Sequence, residues 1–443
     1  MKKRWIILMS LMIIISIVGV FTPESSDLWQ PDANVNYADV AWMVTATIFV
    51  LMMTPGLSLF YGGMVRQKNI ISTILQSFIA MGIISVIWVV FGFSLAFGTD
   101  IGSFVGNPMT FFMFQGVGAK TDALLSPTIP LALFALFQMK FAIITPSLIT
   151  GSFAERVRFS SYLVFMILFC IFVYCPLAHW TWHPDGFLRQ MGVVDFAGGI
   201  VVHASSGVAA LAGAIFLGKR CEECKSHVPA NIPFVILGAA MLWLGWFGFN
   251  AGSSLGANAV GIKAFLNTNT AAATAMLVWV FFDCLRGRKP SAMGAAIGAV
   301  VGLVAITPSA GYVTLGQSIF IALVTTIVCN VAVHWKNKTS VDDALDVFPT
   351  HGVGGILGTV LTGIFVNGLV AGNMDVFLIH LLAVVIVGTY TFIVTYALYW
   401  VTDKMIPMRV SAESEQIGLD ISQHDEQYGL VAPERELAEY QEN

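Results

Sequence analysis

Three ionisable side chains stand inside apolar segments of a chain that otherwise keeps its charged groups between such segments. Asp195 and His203 begin one segment, Asp195-Phe-Ala-Gly-Gly-Ile-Val-Val-His203, and His351 begins another, just after Asp346. An ionisable group at bilayer depth is costly, and it usually marks the path of a substrate, an ion or a proton. Two matching histidines in the two halves of one chain therefore point to transport.

The composition is that of an integral membrane protein. Apolar residues make up 57% of the 443 positions, charged residues make up 11%, and the mean hydropathy is +0.79. Soluble domains carry about 25% charged residues. The small net charge of −4 suggests no nucleic-acid partner. The six cysteines lie mostly in apolar runs, where they act as small hydrophobic residues and not as a disulfide framework.

The segmentation predicts an all-α polytopic fold. Residues 1–22, with three bases and then an apolar run to Phe21, have the layout of a signal peptide, although an uncleaved first helix is the alternative because no Ala-x-Ala site follows. Eleven further stretches approach the roughly 20 apolar residues that a spanning helix needs. They lie near 38–63, 70–98, 128–151, 160–180, 195–217, 232–252, 268–285, 291–313, 316–335, 347–371 and 376–402. We therefore expect a membrane domain over 37–402 and a polar tail over 403–443.

The distribution of basic residues predicts the orientation. Alternate loops hold most of the lysines and arginines, and the opposite loops hold only Lys120, Arg189 and Lys263. The base-rich side is expected to be cytoplasmic, which puts the mature N-terminus outside and the C-terminus inside a cell or inner membrane. Acidic residues collect outside. Either they attract small cations there, or they are simply not excluded from the outer side as basic residues are.

Eleven spans divide as five, five and one. The fifth and the tenth share a pattern, in which His203 and His351 are each followed by small residues and then by Gly and Phe. Because five is odd, the second half must be inverted relative to the first, and such repeats place their functional groups at the midplane between the halves. We expect the two histidines to meet there. The alternative for each is a packing residue bonded to a backbone carbonyl.

These motifs resemble the ammonium transporter (Amt/Mep/Rh) family, on its bacterial Amt side. The match includes the stretch from Asp195 to His203, Ala154-Glu-Arg156, Gly245-Trp-Phe-Gly-Phe-Asn-Ala-Gly-Ser253 and Asp346-Val-Phe-x-x-His351. It extends from about residue 37 to residue 428. The order and spacing of the motifs together are more specific than any one of them.

The resemblance implies a role for each matching residue. The outer ammonium site would consist of Trp182, Phe141 and Ser253, with Thr307 a further substrate-binding residue along the path. The gate would be Phe141 and Phe249, the proton relay His203 and His351, and the pore lining Trp246 and Gln138. Asp195 would support the site as a helix cap with an electrostatic benefit, or, alternatively, accept the proton. Without the resemblance, the phenylalanines would be ordinary packing residues and Trp182 a membrane-interface residue.

The implied chemistry suits these residue types. Aromatic faces attract a cation by about 0.5–2 kcal/mol, and the hydroxyl of Ser253 can accept an N–H bond that a metal ion cannot donate. Moving a bare ion into an apolar pore costs tens of kcal/mol in the idealised limit. We therefore expect ammonium to lose its proton and cross as ammonia. A neutral imidazole has one donor and one acceptor, so the histidine pair can guide ammonia, relay the proton, or both.

The polar tail resembles the family's regulatory motif at Asp420, His424 and Glu426. In the family this motif packs across neighbouring subunits of a homotrimer and helps a PII-type signalling protein to plug the pore. Asp425 stands where the family usually has Gly. Regulation by a PII-type partner is expected on this basis.

Two features depart from the family pattern or stand outside it. Lys140 precedes the gate residue Phe141 and, at about 100° from it on a helix, is expected to face a helix or subunit interface. Cys221-Glu-Glu-Cys224 is half a metal site, and we expect a reduced, exposed loop without a ligand.

The sequence thus predicts a cofactor-free transporter that takes up nitrogen as ammonium, not an enzyme. An ammonium-sensing receptor with little flux is the main rival. The others are an intramembrane metalloenzyme and a channel for another gas. Two histidines without a third ligand nearby make a poor metal site, and substrate flux distinguishes the transporter from the receptor.

Overall fold

The computed structural model describes residues 2–221 and 228–429, and this part of the chain is almost wholly helical. The α-helices are α1 Lys2–Phe21, α2 Tyr37–Met64, α3 Ile70–Ile87, α4 Phe93–Phe97, α5 Leu131–Ile149, α6 Phe159–Phe169, α7 Cys175–Trp182, α8 Phe187–Gln190, α9 Ser205–Leu217, α10 Ile232–Gly252, α11 Ala259–Leu285, α12 Ala292–Ile306, α13 Leu315–Lys336, α14 Val353–Phe365, α15 Met374–Met405 and α16 Ala412–Ile417. Two short strands, β1 Asp100–Ile101 and β2 Val105–Gly106, pair antiparallel between α4 and α5. The protein is therefore an all-α membrane protein, as the segmentation predicts.

Ten helical segments of the described chain are long and apolar enough to cross a membrane. The expected eighth span is shorter, because α12 ends at Ile306, close to Pro308, and has only 15 residues. The expected seventh span begins earlier than predicted, at Ala259, because Asn258 caps the first turn by accepting a hydrogen bond from the backbone N–H of Gly261. The count of eleven spans stays a prediction, as does removal of α1.

Capping residues explain where several helices begin. A side-chain oxygen that accepts a backbone N–H of the first turn satisfies one of the four free donors of a helix. Such caps are Asn36 on α2, Asn231 on α10, Asn258 on α11, Ser291 on α12, Thr314 on α13, Asn373 on α15 and Ser411 on α16.

Four of the spans are not regular α-helices throughout. Each contains one wider π-helical turn, and such turns occur frequently at functional sites. They are Trp88–Gly92, Cys170–Tyr174, Gly199–Ala204 and Phe348–Gly352. The last two contain His203 and His351, so both predicted pore histidines lie on the same unusual backbone.

Corresponding helices of the two halves pack against each other. The first spans of the halves, α2 and α10, are so close that a Cβ on Gly238 would lie 2.4 Å from the backbone nitrogen of Phe60. The fifth and tenth spans meet in the same way. A Cβ on Gly207 would lie 2.0 Å from the nitrogen of Gly352, and one on Gly355 would lie 2.7 Å from the nitrogen of Ala204.

The contacts between the fifth and tenth spans are reciprocal. Gly207, four residues after His203, contacts Gly352, which directly follows His351. In the same way Gly355, four residues after His351, contacts Ala204, which directly follows His203. This is the pattern of a two-fold axis between the histidines, as expected of an inverted repeat.

A network of ion pairs joins the loops on the side that we expect to be cytoplasmic. Glu155 accepts hydrogen bonds from Arg66 and Arg220, with a 3.0 Å contact to each guanidinium. Arg220 also pairs with Asp342 at 2.9 Å, which connects the first half to the second. Burial alone raises the pKa of Asp342, but the guanidinium of Arg220 beside it lowers that pKa to about 2. The Ala154-Glu-Arg156 motif therefore belongs to the joint between the halves.

The tail lies against its own chain on the same face. The carboxylate of Asp420 accepts the backbone N–H groups of Ile71 and Ser72 at 3.1 and 2.8 Å, so it caps α3. His424 lies 3.2 Å from the hydroxyl of Ser72, and the backbone N–H of Glu426 donates to the backbone oxygen of Asp420. Asp425 has a left-handed φ of 57°, a conformation that favours Gly and that Asp tolerates better than most residues, so the departure from Gly leaves this turn intact.

The structure corrects one expectation about the cysteines. Cys221 is disulfide-bonded, so the expectation of a reduced loop is wrong at this residue. Cys224 lies outside the described residues. Cys170, Cys175 and Cys329 are free and buried, in keeping with their apolar surroundings.

Gly207→Ala is expected to destabilise the protein, because its Cβ has no room against the backbone of Gly352. Overpacking of this kind costs about 1–3 kcal/mol and sometimes more. The matched control is Gly82→Ala, since a Cβ on Gly82 would meet nothing within 4 Å. Thermal unfolding in detergent should show a lower midpoint for the first variant only. Equal midpoints would contradict the close contact between the halves.

Candidate substrate pore

A cavity of about 510 Å³ opens on the side that we expect to be external. The outermost predicted site residues line it, namely Phe141 and Gln138 from α5, Trp182 from the end of α7, Asp195 and Ser253. These residues come from four separate segments of the chain, and the fold brings them together around this cavity.

Trp182 and Ser253 are held in defined orientations within this outer cavity. The indole N–H of Trp182 donates to the backbone oxygen of Asp195 at 2.9 Å. Its ring is nearly perpendicular to that of Phe141, with centroids 5.8 Å apart. The hydroxyl of Ser253 donates to the backbone oxygen of Phe249 at 2.8 Å. Because its proton is already used, this hydroxyl presents lone pairs to a ligand and acts as an acceptor.

Two phenyl rings close the inner end of the outer cavity. Phe141 of α5 and Phe249 of α10 stack with centroids 4.2 Å apart and an angle of 27° between the planes. Both side chains are buried. The stacked pair separates the outer cavity from a narrow space of about 10 Å³ that is lined by Phe249, His203 and His351.

The ring of His203 continues the aromatic stack below the pair Phe141 and Phe249. It lies 5.8 Å from the ring of Phe249 and 5.2 Å from that of Trp246. The indole N–H of Trp246 donates to the hydroxyl of Thr307 at 2.9 Å, and Thr307 donates onward to the oxygen of Leu303. Thr307 therefore supports Trp246 and does not line the outer cavity, and its predicted role in substrate binding stays a prediction.

The two histidines form a direct contact at the centre of the pore. Their Nδ1 atoms are 3.3 Å apart, and both side chains are buried. A hydrogen bond between two Nδ1 atoms requires one histidine to be protonated at Nδ1 and the other at Nε2. The neutral pair thus presents one Nε2 acceptor and one Nε2 donor to the pore. The Nε2 atom of His203 has no hydrogen-bond partner within the described residues.

A second small chamber follows on the inner side of His351. It measures about 50 Å³ and is lined by Tyr61, Asp346, Thr350 and His351 among others. Asp346 is paired with Lys336 at 2.7 Å, so its charge is compensated. The space along the pore therefore narrows from the outer cavity to about 10 Å³ at the histidines, which is close to the minimum for one water molecule.

Asp195 acts as a helix cap in this structure. Its two carboxylate oxygens accept the backbone N–H groups of Gly198, Gly199, Ile200 and Val201 at 2.6–3.2 Å. These are the free donors at the start of the segment that carries His203. All the contacts come from backbone donors of the chain itself, which favours the capping role over proton acceptance.

Several residues that line the outer cavity were not predicted from sequence, and two of them carry polar groups that could contact a ligand. Thr181 and Arg189 both line it. The hydroxyl of Thr181 and the amide oxygen of Gln138 are buried and have no hydrogen-bond partner in the described chain. For Thr181, the only signal in the sequence is that it directly precedes Trp182. For Arg189, the only signal is that it is one of the few basic residues on the outer side.

Lys140 lies within the subunit and not in the pore. Its side chain is buried, and it is absent from the residues that line the three pore cavities. The contact recorded for its amino group is the sulfur of Met139 at 3.8 Å. The expectation that it faces a helix interface is confirmed by this position on α5, most of which is buried among other helices.

Comparison with known proteins gives the same family as the motifs. The model of the Ammonium Transporter Family matches residues 41–428. The chain belongs to the ammonium transporter family. It is 44% identical over 412 residues to the ammonium transporter of Aquifex aeolicus, and the alignment covers 91% of this chain and 96% of that protein.

Solved structures agree with the fold of this family member. The crystal structure of Saccharomyces cerevisiae Mep2 matches with a TM-score of 0.81 at 33% identity and covers 86% of this chain and 89% of that one. A structure described as a sensor Amt protein matches with a TM-score of 0.80 at 30% identity, covering 88% of this chain and 98% of that one. The similar proteins thus include one named as an ammonium transporter and one described as a sensor Amt protein.

Asp195→Asn is expected to destabilise this ammonium transporter homologue by about 2–3 kcal/mol, because hydrogen bonds to a charged acceptor are each worth about 1.5–3 kcal/mol and an amide offers only one acceptor oxygen. The control is Asp185→Asn, where the side chain is exposed. Thermal unfolding midpoints would separate the two variants. An unchanged midpoint together with lost transport would instead favour Asp195 as a proton acceptor.

Proposed function

We propose that this protein binds ammonium in the outer cavity, removes its proton there, and conducts ammonia past the phenyl gate and between His203 and His351. The proposal rests on the order in which the outer cavity, the phenyl pair and the histidine pair follow one another along the pore. A large cavity with aromatic faces and a hydroxyl acceptor lies above a stacked pair of rings, and the histidine pair lies directly below.

Recognition in the outer cavity would rest on aromatic faces and one acceptor. The perpendicular rings of Trp182 and Phe141 offer π-faces to a cation, and Ser253 accepts an N–H bond. Potassium can use the rings but cannot donate a hydrogen bond. The cation–π contribution of about 0.5–2 kcal/mol supports binding at the mouth, but it is far too small to bring a bare ion through the gate.

Passage of the uncharged form follows from the width and the polarity of the pore. A space of about 10 Å³ leaves no room for a hydration shell, and the idealised cost of an unsolvated charge there is tens of kcal/mol. Ammonia carries no such cost. Its N–H groups and lone pair match the one acceptor and one donor that the histidine pair presents.

The proton released by ammonium would travel by the same histidine pair. The Nδ1–Nδ1 contact of 3.3 Å permits transfer from one imidazole to the other, so a proton accepted at one Nε2 is balanced by a proton released at the other. Transport would then carry charge. Without this relay the protein would be a passive channel for ammonia.

The second candidate is an ammonium sensor with little flux. It is favoured by the likeness to a structure described as a sensor Amt protein. The small chamber of about 50 Å³ below the histidines favours conduction instead, because it continues the path beyond His351. Flux of ammonium, as distinct from binding, separates the two.

We further propose that the protein is a homotrimer of an inner or plasma membrane, with the mature N-terminus outside and the tail in the cytoplasm. The tail motif on α3 and the ion-pair network lie together on the proposed cytoplasmic face, where a PII-type partner would bind. A detergent-corrected mass near three times 47.9 kDa is expected, and a monomer mass would contradict the trimer.

The test is charge movement in proteoliposomes after an ammonium pulse, for the native protein and for His203→Ala. The native protein should give a current with ammonium and none with potassium, and the variant should lose the current or its selectivity. Internal alkalinisation without current would identify a passive ammonia channel. Ammonium binding without either signal would identify a sensor.

Phe249→Ala is expected to weaken the rejection of potassium, because it opens the stacked gate. A barrier lower by only about 1.4 kcal/mol would raise the potassium rate tenfold. The matched control is Phe247→Ala, since Phe247 stacks on Phe265 with centroids 4.0 Å apart and does not line the pore cavities. Potassium currents that are equal in the two variants would contradict the role of the ring pair as a gate.

A further inference from the structure

A short segment that precedes the fifth span forms one wall of the outer cavity. Residues 192–196 all line this cavity. Within the segment, the backbone oxygen of Asp195 accepts the indole N–H of Trp182 at 2.9 Å. The position of this segment therefore determines where the indole ring lies in the proposed ammonium site.

Two backbone N–H groups bind this segment to distant parts of the chain. The N–H of Phe196 donates to the backbone oxygen of Pro308 at 3.0 Å. The N–H of Val194 donates to a side chain instead, and its acceptor is Nε2 of His380 on α15, also at 3.0 Å. A side chain of the last span thus holds the middle of the cavity wall.

The two hydrogen bonds of His380 determine its tautomer. Its Nδ1 lies 2.7 Å from the backbone oxygen of Val376, one turn earlier on α15. Because a backbone oxygen only accepts, Nδ1 carries the proton and donates. Nε2 then has a lone pair, as the N–H of Val194 requires. Both ring nitrogens are in use, so this histidine supports the backbone and differs from His203, whose Nε2 has no partner in the described chain.

Packing keeps the ring of His380 in this orientation. The side chain is fully buried in the subunit. A Cβ on Gly363 of α14 would lie 2.8 Å from Cβ and 3.0 Å from Cγ of His380. Since Gly363 belongs to the tenth span, His380 lies between that span and the wall of the outer cavity.

We propose that His380 is a positioning residue for the outer ammonium site. It holds the N–H of Val194, and through the adjacent Asp195 it fixes the indole ring of Trp182. His380 itself does not line the outer cavity or the two chambers below it, so it acts on the substrate only through these residues. A misplacement of about 1 Å in a site can cost about a hundredfold in rate. The inference rests on the outer site proposed above.

The experiment compares two amide variants of His380 in the purified full-length protein. The amide of His380→Asn lies near the position of Nδ1 and is too short to reach Val194. The amide oxygen of His380→Gln lies near the position of Nε2 and restores the acceptor. Ammonium binding is measured by isothermal titration calorimetry, and the ammonium dependence of the current is measured in proteoliposomes. The variants differ by one methylene group, so each is the matched control of the other.

His380→Asn should bind ammonium about tenfold more weakly, because the unpaired N–H of Val194 lets the cavity wall shift. The ammonium concentration for half-maximal current should rise by the same factor, and the maximal current should stay within about twofold, because the gate and the histidine pair are unchanged. His380→Gln should restore the affinity to within about twofold of the native value. Thr391→Val changes another buried polar side chain of α15, whose hydroxyl has no partner within the described residues, and it should bind ammonium as the native protein does.

Three results would overturn the proposal. Equal affinities of His380→Asn and His380→Gln would show that the acceptor for Val194 is not what matters. A lower unfolding midpoint of His380→Asn, with native affinity and native current, would assign His380 a structural role alone. Loss of the maximal current at native affinity would assign the residue to conduction and not to the outer site.

A second variant keeps the test decisive if His380→Asn does not fold. The Cβ of Gly363→Ala displaces the ring of His380 away from its native position, so this variant should also weaken ammonium binding. Native affinity in the folded Gly363→Ala protein would contradict the proposal.

A reference variant separates this proposal from that of the outer site itself. Trp182→Leu removes an aromatic face and should weaken ammonium binding. Unchanged binding in Trp182→Leu would contradict the outer site and, with it, the role of His380. Weaker binding in Trp182→Leu together with native affinity in His380→Asn would contradict the role of His380 alone. Because binding is measured directly, the comparison holds even for a protein that conducts nothing.

Discussion

The close approach of two backbones at the centre of the membrane is the constraint on which the pore depends. Gly207 against Gly352 and Gly355 against Ala204 leave no space for a side chain, and this is why the histidine rings that precede them can meet. The same approach fixes the crossing of the two halves. Since interfaces in the membrane gain little from the hydrophobic effect, small residues and tight packing must supply the association. The glycines therefore determine both the fold and the distance between the functional groups.

The need of buried polar groups for hydrogen-bond partners explains much of the remaining structure. The four backbone donors before His203 would be unpaired in an apolar region, and Asp195 satisfies them with a single carboxylate. Trp182 and Trp246 are likewise each held by one hydrogen bond from the indole nitrogen. An unsatisfied polar group in this environment is expensive, so these bonds fix the aromatic rings in place. Rigid walls around a narrow pore are a direct result.

The centre of the pore could be predicted from sequence, but its supports could not. His203, His351 and Asp195 are ionisable residues in apolar runs, which is a strong local signal. The support that Thr307 gives to Trp246 could not be predicted, because the two residues lie on different helices and spacing along the chain does not encode that contact. The start of α11 was missed because Lys263 and Asn267 lower its hydropathy, although both are satisfied by backbone oxygens between residues 310 and 313. The π-helical turns could not be predicted, because they change only the register of the backbone hydrogen bonds and not the amino-acid composition.

Transfer of one proton through the Nδ1–Nδ1 contact between His203 and His351 would change the tautomers of both rings. If a proton enters at the free Nε2 of one ring and leaves from the other, the hydrogen bond between the rings ends with its direction reversed. A second proton cannot follow in the same sense until both imidazoles return to their first tautomers. In the proposed relay, each proton that crosses would therefore have to be followed by a step that restores both tautomers, and the rate of that step would set an upper limit on the turnover of a coupled cycle.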